Sequence, residues 1–71
     1  MVTKAKRIEF LKKLEDISID MRSKTIYRSK FGLDDGVLKS NAEVGRIFSL
    51  SGEYIRQVLE KVIEQIGSPV E

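Results

Sequence analysis

The stretch from Asn41 to Lys61 constrains the fold more than any other part of the chain. Two helices that cross at a steep angle over a short turn need a small residue where their backbones approach, and apolar residues at fixed offsets to fill the angle between them. Counted from Asn41, position five is Gly45, and the apolar positions four, eight, ten, fifteen and eighteen are Val44, Phe48, Leu50, Ile55 and Val58. The turn holds Ser49, where glycine is common. The pattern predicts a helix-turn-helix over about residues 41–66, although a generic helical hairpin would match some of these positions.

Two further helices are predicted upstream of this motif. The first runs from about Lys4 to Asp16 behind Thr3 as N-cap, because apolar residues recur there at helical spacing: Ile8, Phe10, Leu11, Leu14 and Ile17. The second begins after Asp20, whose carboxylate can accept hydrogen bonds from the free amides of the first turn. It ends at Gly32, since glycine adopts the left-handed conformation that terminates helices at little cost.

The complete pattern is that of an all-α fold. We expect Ser40 to cap a third helix and Ser51 to cap a fourth, which together form the helix-turn-helix. No segment shows the alternation of a β-strand. The chain is short enough that we expect one domain over residues 1–71: a small four-helix domain with a C-terminal helix-turn-helix at about 41–66 and an extra N-terminal helix at about 4–16.

Charge is distributed unevenly along the chain. Residues 1–30 carry nine Lys and Arg against four Asp and Glu, for a formal charge of +5, whereas residues 31–71 carry −3. A basic first half can meet phosphate or an acidic protein surface. The same residues can equally be solvated helix faces, and charge alone does not choose between these interpretations.

The missing residue types argue against several functional classes. The chain contains neither histidine nor cysteine, so the commonest general base, the commonest metal ligands and disulfides are absent. The carboxylates are dispersed, and no pair of nucleophile and base is visible. We therefore expect no enzyme, no cofactor and no metal site. No apolar run approaches the roughly 20 residues that span a bilayer, and we expect a cytoplasmic, nucleoid-associated protein without membrane contact.

Three separated motifs carry a more specific resemblance. Residues 31–36 read Phe-Gly-Leu-Asp-Asp-Gly, residues 43–48 read Glu-Val-Gly-Arg-Ile-Phe, and residues 55–58 read Ile-Arg-Gln-Val. In this order and register they are similar to region four, the C-terminal helix-turn-helix domain of housekeeping-type bacterial sigma factors. The resemblance covers about Ile19 to Ile66, without an insertion or deletion between the motifs, and leaves the first helix outside it.

This resemblance implies two partners. In that family the last helix enters the major groove of the −35 promoter element, and the preceding helices dock on the flap of the RNA polymerase β subunit. Carried over, the DNA-binding residues are Ser51, Gly52, Glu53, Tyr54, Arg56 and Gln57, and the polymerase-contacting residues are Met21, Ile26, Tyr27 and Lys30. Glutamate can accept from cytosine, glutamine can pair with adenine, and arginine can bind guanine or phosphate. An anti-sigma or activator protein is a further expected partner.

Departures from the family weaken the expectation of DNA binding. Gly52 and Tyr54 stand where the family has arginines, and Glu64 and Gln65 replace later basic residues. From Ser51 to Ile66 two bases face three acids, and a net-acidic helix gains little from phosphate neutralisation. We therefore expect the isolated chain to bind promoter DNA weakly.

Several alternatives stay open at this stage. The chain is a fragment of a sigma factor or a free-standing protein, for instance from a phage or mobile element. It could be a polymerase-binding regulator that has lost DNA reading, or a dimeric repressor that pairs through Ile8, Leu11 and Leu14. Glu53 and Arg56, three residues apart, could also form no more than a surface ion pair.

Overall fold

The computed structural model describes residues 2–70, so both ends of the predicted 1–71 domain lie outside the described residues. Four helices make up this part of the chain: α1 (Lys4–Asp16), α2 (Met21–Phe31), α3 (Asn41–Phe48) and α4 (Gly52–Ile66). No strand occurs among residues 2–70. The prediction of an all-α, four-helix fold is confirmed.

Each helix begins at a polar residue that caps it, as the sequence predicted. The side chains of Thr3, Asp20, Ser40 and Ser51 each accept a hydrogen bond from the backbone N–H three residues ahead. At α3 the arrangement is reciprocal, because the backbone N–H of Ser40 donates to the Glu43 carboxylate at 3.1 Å. This donation lowers the pKa of Glu43. The caps satisfy first-turn amides that have no partner within the helix.

The end of α2 is set by a glycine. Gly32 has a φ of +59°, and its N–H donates to the Arg28 carbonyl. The N–H of Leu33 donates to the same carbonyl at 3.0 Å, and the Leu33 side chain turns into the core. A Cβ on Gly32 would lie about 2.5 Å from the backbone nitrogen of Val37. The left-handed backbone and this close approach both require glycine at position 32.

The core lies where α2, α3 and α4 meet, and α1 packs against α4. Its buried members are Phe10, Leu14, Ile26, Tyr27, Phe31, Leu33, Val44, Ile55, Val58, Leu59 and Val62. Phe48 and Leu50 are partly buried against this cluster. The apolar positions predicted for the helix-turn-helix therefore meet in or beside one core.

One residue of the predicted α1 stripe was placed wrongly. Ile8 is 49% exposed, while Phe10 and Leu14 are buried. Phe10, Leu14 and Ile17 follow the helical repeat on the side that meets α4, whereas Ile8 precedes Phe10 by two residues and so points to nearly the opposite side.

Within residues 2–70, one long-range hydrogen bond ties the segment after α4 to α2. The Tyr27 hydroxyl donates to the Gly67 carbonyl at 2.8 Å, and burial raises the pKa of Tyr27 above its usual value. Tyr27 also packs against Phe31, with ring centroids 4.8 Å apart.

None of the helices in residues 2–70 has the length and apolar character needed to cross a membrane.

The turn between α3 and α4 is built around Gly45. A Cβ at this position would overlap the Leu50 carbonyl oxygen and lie 3.4 Å from the Gly52 nitrogen. The N–H of Leu50 donates to the Gly45 carbonyl at 2.7 Å. Gly45 thus contacts the turn and the first residue of α4, rather than the body of that helix. Ser49 has a φ of +58° and is the one non-glycine residue in the described range with a left-handed backbone.

We predict that Gly45→Ala lowers the free energy of unfolding by about 1–3 kcal/mol, because the added methyl group must push the turn away from α3. Gly52→Ala is the matched control, since a Cβ there meets atoms only at 3.8 Å or beyond. The control should leave stability unchanged or raise it by up to about 1 kcal/mol through helix propensity. Urea denaturation of the three proteins measures the difference, and equal midpoints for the two variants would contradict this account of the turn.

We also predict that Tyr27→Phe lowers the free energy of unfolding by about 1 kcal/mol, because the Gly67 carbonyl loses its donor. Tyr54→Phe is the control: this ring is 41% exposed, and its hydroxyl removal should change stability by less than about 0.5 kcal/mol. Thermal denaturation followed by circular dichroism compares them. If both variants melt with the wild type, the bond to Gly67 contributes nothing to stability.

Candidate nucleic-acid interface

One face of α4 is exposed at the end that follows the turn. Ile55, Val58, Leu59 and Val62 are buried and fix the inner face of the helix. The helical repeat therefore turns Glu53, Arg56 and Gln57 outward, and all three are exposed. These are the residues that the resemblance assigned to base contacts, and the fold brings them together on one surface.

The start of α4 is ordered by Ser51. Its hydroxyl accepts from the Tyr54 N–H at 3.1 Å, as expected for the N-cap. Gly52 follows as the first helical residue and is half-buried near the backbone of Asn41 and Ala42. A helix N-terminus carries a partial positive charge that favours phosphate. Glu53 lies in the same turn and places a negative charge against this partial positive charge.

Arg56 does not extend freely from this surface. Its Nε donates to Glu53 Oε2 at 3.1 Å and its Nη2 to Glu53 Oε1 at 2.5 Å. Its Nη1 donates to Glu60 Oε1. The two carboxylates raise the pKa of Arg56, with Glu53 the larger cause, and the guanidinium lowers the pKa of Glu53. The Glu53–Arg56 ion pair, one of the alternatives left open by the sequence, is present. Glu60, which was not predicted to take part, also binds Arg56.

A second cation reaches the start of α4 from another helix. The Arg22 guanidinium carbon lies 5.9 Å from the centroid of the Tyr54 ring, a cation–π distance. The two residues are brought together only because α2 packs across α4. No local sequence signal links positions so far apart, and Arg22 was not among the predicted site residues.

A groove between α1 and α2 forms a separate surface. It has a volume of about 460 Å³ and is lined by Leu11, Leu14, Glu15, Met21, Lys24, Arg28 and Asp34. Met21 is 75% exposed, although methionine is an apolar residue. The groove thus combines an apolar floor with charged edges, which suits an amphipathic partner helix.

Two of the four predicted polymerase-contacting residues are buried in the core. Ile26 and Tyr27 have 0% exposure, because the inner side of α2 faces both α3 and α4 in the core. A partner cannot touch them directly. Lys30 lines a different cleft, together with Arg56 and Glu60, so the fold does not bring it to the same surface as Met21.

The structure also bears on the dimerisation surface expected from Ile8, Leu11 and Leu14. Leu14 is only 2% exposed and belongs to the core of the single chain. Of the three residues expected to pair two repressor subunits, Ile8 is exposed and Leu11 is partly buried against the core. Leu14 is therefore already used within the fold and cannot serve a dimer.

Sequence comparison relates the chain to known transcription proteins. It is 38% identical over 61 residues to the RNA polymerase sigma factor SigA of Nostoc sp. and 39% identical over 64 residues to SigA of Listeria monocytogenes. Both matches cover 86% of this chain, which spans only 15% and 17% of the lengths of those relatives. No protein-family model matches the chain, and neither does any solved structure. With its four helices and C-terminal helix-turn-helix, the chain belongs to the sigma factor family as a region-four-like domain.

Proposed function

We propose that the chain is a transcription-initiation module that binds the RNA polymerase core at the β flap and reads the −35 promoter element with α4. The observation that carries this proposal is the exposed face of Glu53, Arg56 and Gln57 on the second helix of the motif, in a chain related to SigA proteins over 86% of its length. These side chains supply an acceptor, a cation and an amide for base edges.

The charge of α4 makes the DNA contact weak in isolation. Three glutamates stand against Arg56 and Lys61 along the helix, so few counterions would be released on binding. Arg22 offsets this in part, since it places a cation beside Tyr54, where the family has an arginine. Tethering to polymerase would raise the local concentration of DNA and compensate for the low affinity.

The groove between α1 and α2 is the candidate polymerase contact. Its apolar residues Leu11 and Met21 can bury part of a flap helix, while Lys24 and Arg28 lie at hand for acidic side chains. Met21 replaces the buried Ile26 and Tyr27 as the principal apolar contact.

A second candidate function is a polymerase-binding regulator that no longer reads DNA. It is favoured by the engagement of Arg56 with two carboxylates and by the absence of cationic side chains at Gly52 and Tyr54. Such a module would occupy the flap and redirect or block the resident sigma factor. An anti-sigma or activator protein would then be the partner of α4.

For DNA reading, we predict that Gly52→Arg tightens binding to a labelled −35 duplex and steepens its logarithmic salt dependence by about 0.9, the change expected for one added phosphate contact. Gly52→Ala is the control, because it removes the glycine without adding charge. Arg56→Ala should weaken binding about tenfold. Fluorescence anisotropy at two salt concentrations measures all four proteins.

Failure of this prediction would be informative. If Gly52→Arg binds like Gly52→Ala, and the wild type shows no sequence preference even when bound to polymerase, DNA reading is excluded. The regulator without DNA reading would then be the function.

For polymerase binding, we predict that Met21→Glu weakens capture of core polymerase about tenfold, since burial of a methionine side chain is lost. Ile47→Glu is the matched control, because Ile47 is also exposed, at 57%, and lies outside the groove. Deletion of the flap tip from the polymerase should abolish capture of the wild type. Undiminished capture by the tip-deleted enzyme would overturn the flap assignment.

A further inference from the structure

Arg56 is held from both directions along α4. Glu53 precedes it by three residues and Glu60 follows it by four, so the three side chains share one strip of the helix surface. Of the five N–H donors of a guanidinium, three are engaged by the two carboxylates. We call this arrangement the Arg56 clamp.

The clamp changes what Arg56 can contribute to DNA binding. A phosphate that binds Arg56 must displace the carboxylates already bound to it. Because one anion replaces another, the net gain in binding free energy is small. The displaced carboxylates would then also face the phosphate backbone with like charge. By contrast, the base edges of a matching sequence offer specific contacts, which phosphates do not.

We propose that Glu60 acts as a specificity-determining residue by holding Arg56 in the clamp, which suppresses sequence-independent binding to DNA. This inference rests on the proposed DNA reading by α4. Glu60 is the member to consider, because Glu53 is itself a candidate base contact in the first turn. The clamp is weak enough to open, since the side chains of Glu53, Arg56 and Glu60 are 64%, 46% and 63% exposed and solvent screens exposed ion pairs.

The test compares Glu60→Gln with Glu64→Gln in the full 71-residue chain. Both variants remove one negative charge from the outer side of α4, but Glu64 has no ion pair with Arg56 in the described residues. The probes are a fluorescein-labelled −35 duplex and a scrambled duplex of the same composition, titrated at about 50 and 200 mM salt.

Glu60→Gln should bind the scrambled duplex about threefold to tenfold more tightly than the wild type at the lower salt, with a logarithmic salt slope steeper by about 0.9. The ratio of −35 to scrambled affinity should fall. Glu64→Gln should show a smaller gain, and the extra gain of Glu60→Gln should vanish when Arg56→Ala is added. If Glu60→Gln and Glu64→Gln gained equally in affinity for the scrambled duplex, the effect would be explained by net charge alone. That result would overturn the clamp.

A measurement without DNA separates this inference from the proposed function. In NMR spectra the Nη1–H of Arg56 that donates to Glu60 should be protected from solvent exchange in the wild type and in Glu64→Gln, and less protected in Glu60→Gln. If no protein binds either duplex, DNA reading fails and the clamp is judged by this signal alone. An equally fast-exchanging Nη1–H in all three proteins would overturn the clamp, whatever the DNA titrations show.

Discussion

The close approach of Gly45 to the turn sets the angle between α3 and α4. Its missing side chain leaves room for the Leu50 carbonyl, and its own carbonyl accepts from the Leu50 N–H at 2.7 Å. These two contacts determine how α4 leaves the turn. Ser51 and the first turn of α4 follow directly, so these backbone contacts also orient the candidate DNA surface. A side chain at position 45 would overlap the Leu50 carbonyl and disturb them.

The central position of α2 has two consequences for function. Its inner side is consumed by the core, where Ile26 and Tyr27 are fully buried, so only its ends and outer side remain for partners. One end supplies Met21 to the groove with α1, and Arg22 from the next position lies over the Tyr54 ring on α4. The same helix therefore borders both candidate interfaces.

Electrostatics distinguishes this chain within its family. The chain is related in sequence to sigma factors, yet the outer face of α4 carries an arginine bound to two glutamates. Gly52 and Tyr54 stand at the two positions where the resemblance implies arginines. Burial of apolar residues is indifferent to these surface changes, because it depends on the opposite face of the helix. The fold and the surface charge are thus controlled by separate sets of residues on one helix.

Features that act within about one helical turn could be predicted from the sequence. Ser40 and Ser51 as caps, Gly32 as a terminator and the outward position of Glu53, Arg56 and Gln57 all follow from spacings of a few residues. The contact between Arg56 and Glu60 was not predicted, although its i, i+4 spacing also lies within about one helical turn. Which apolar residues become buried, and which distant residues meet, depends on how the helices pack. Ile8 is exposed, Tyr27 is buried and Arg22 lies on Tyr54. Each of these outcomes depends on which faces of separate helices pack against one another. Packing is governed by the apolar burial of all the helices together, so no local sequence pattern predicts it.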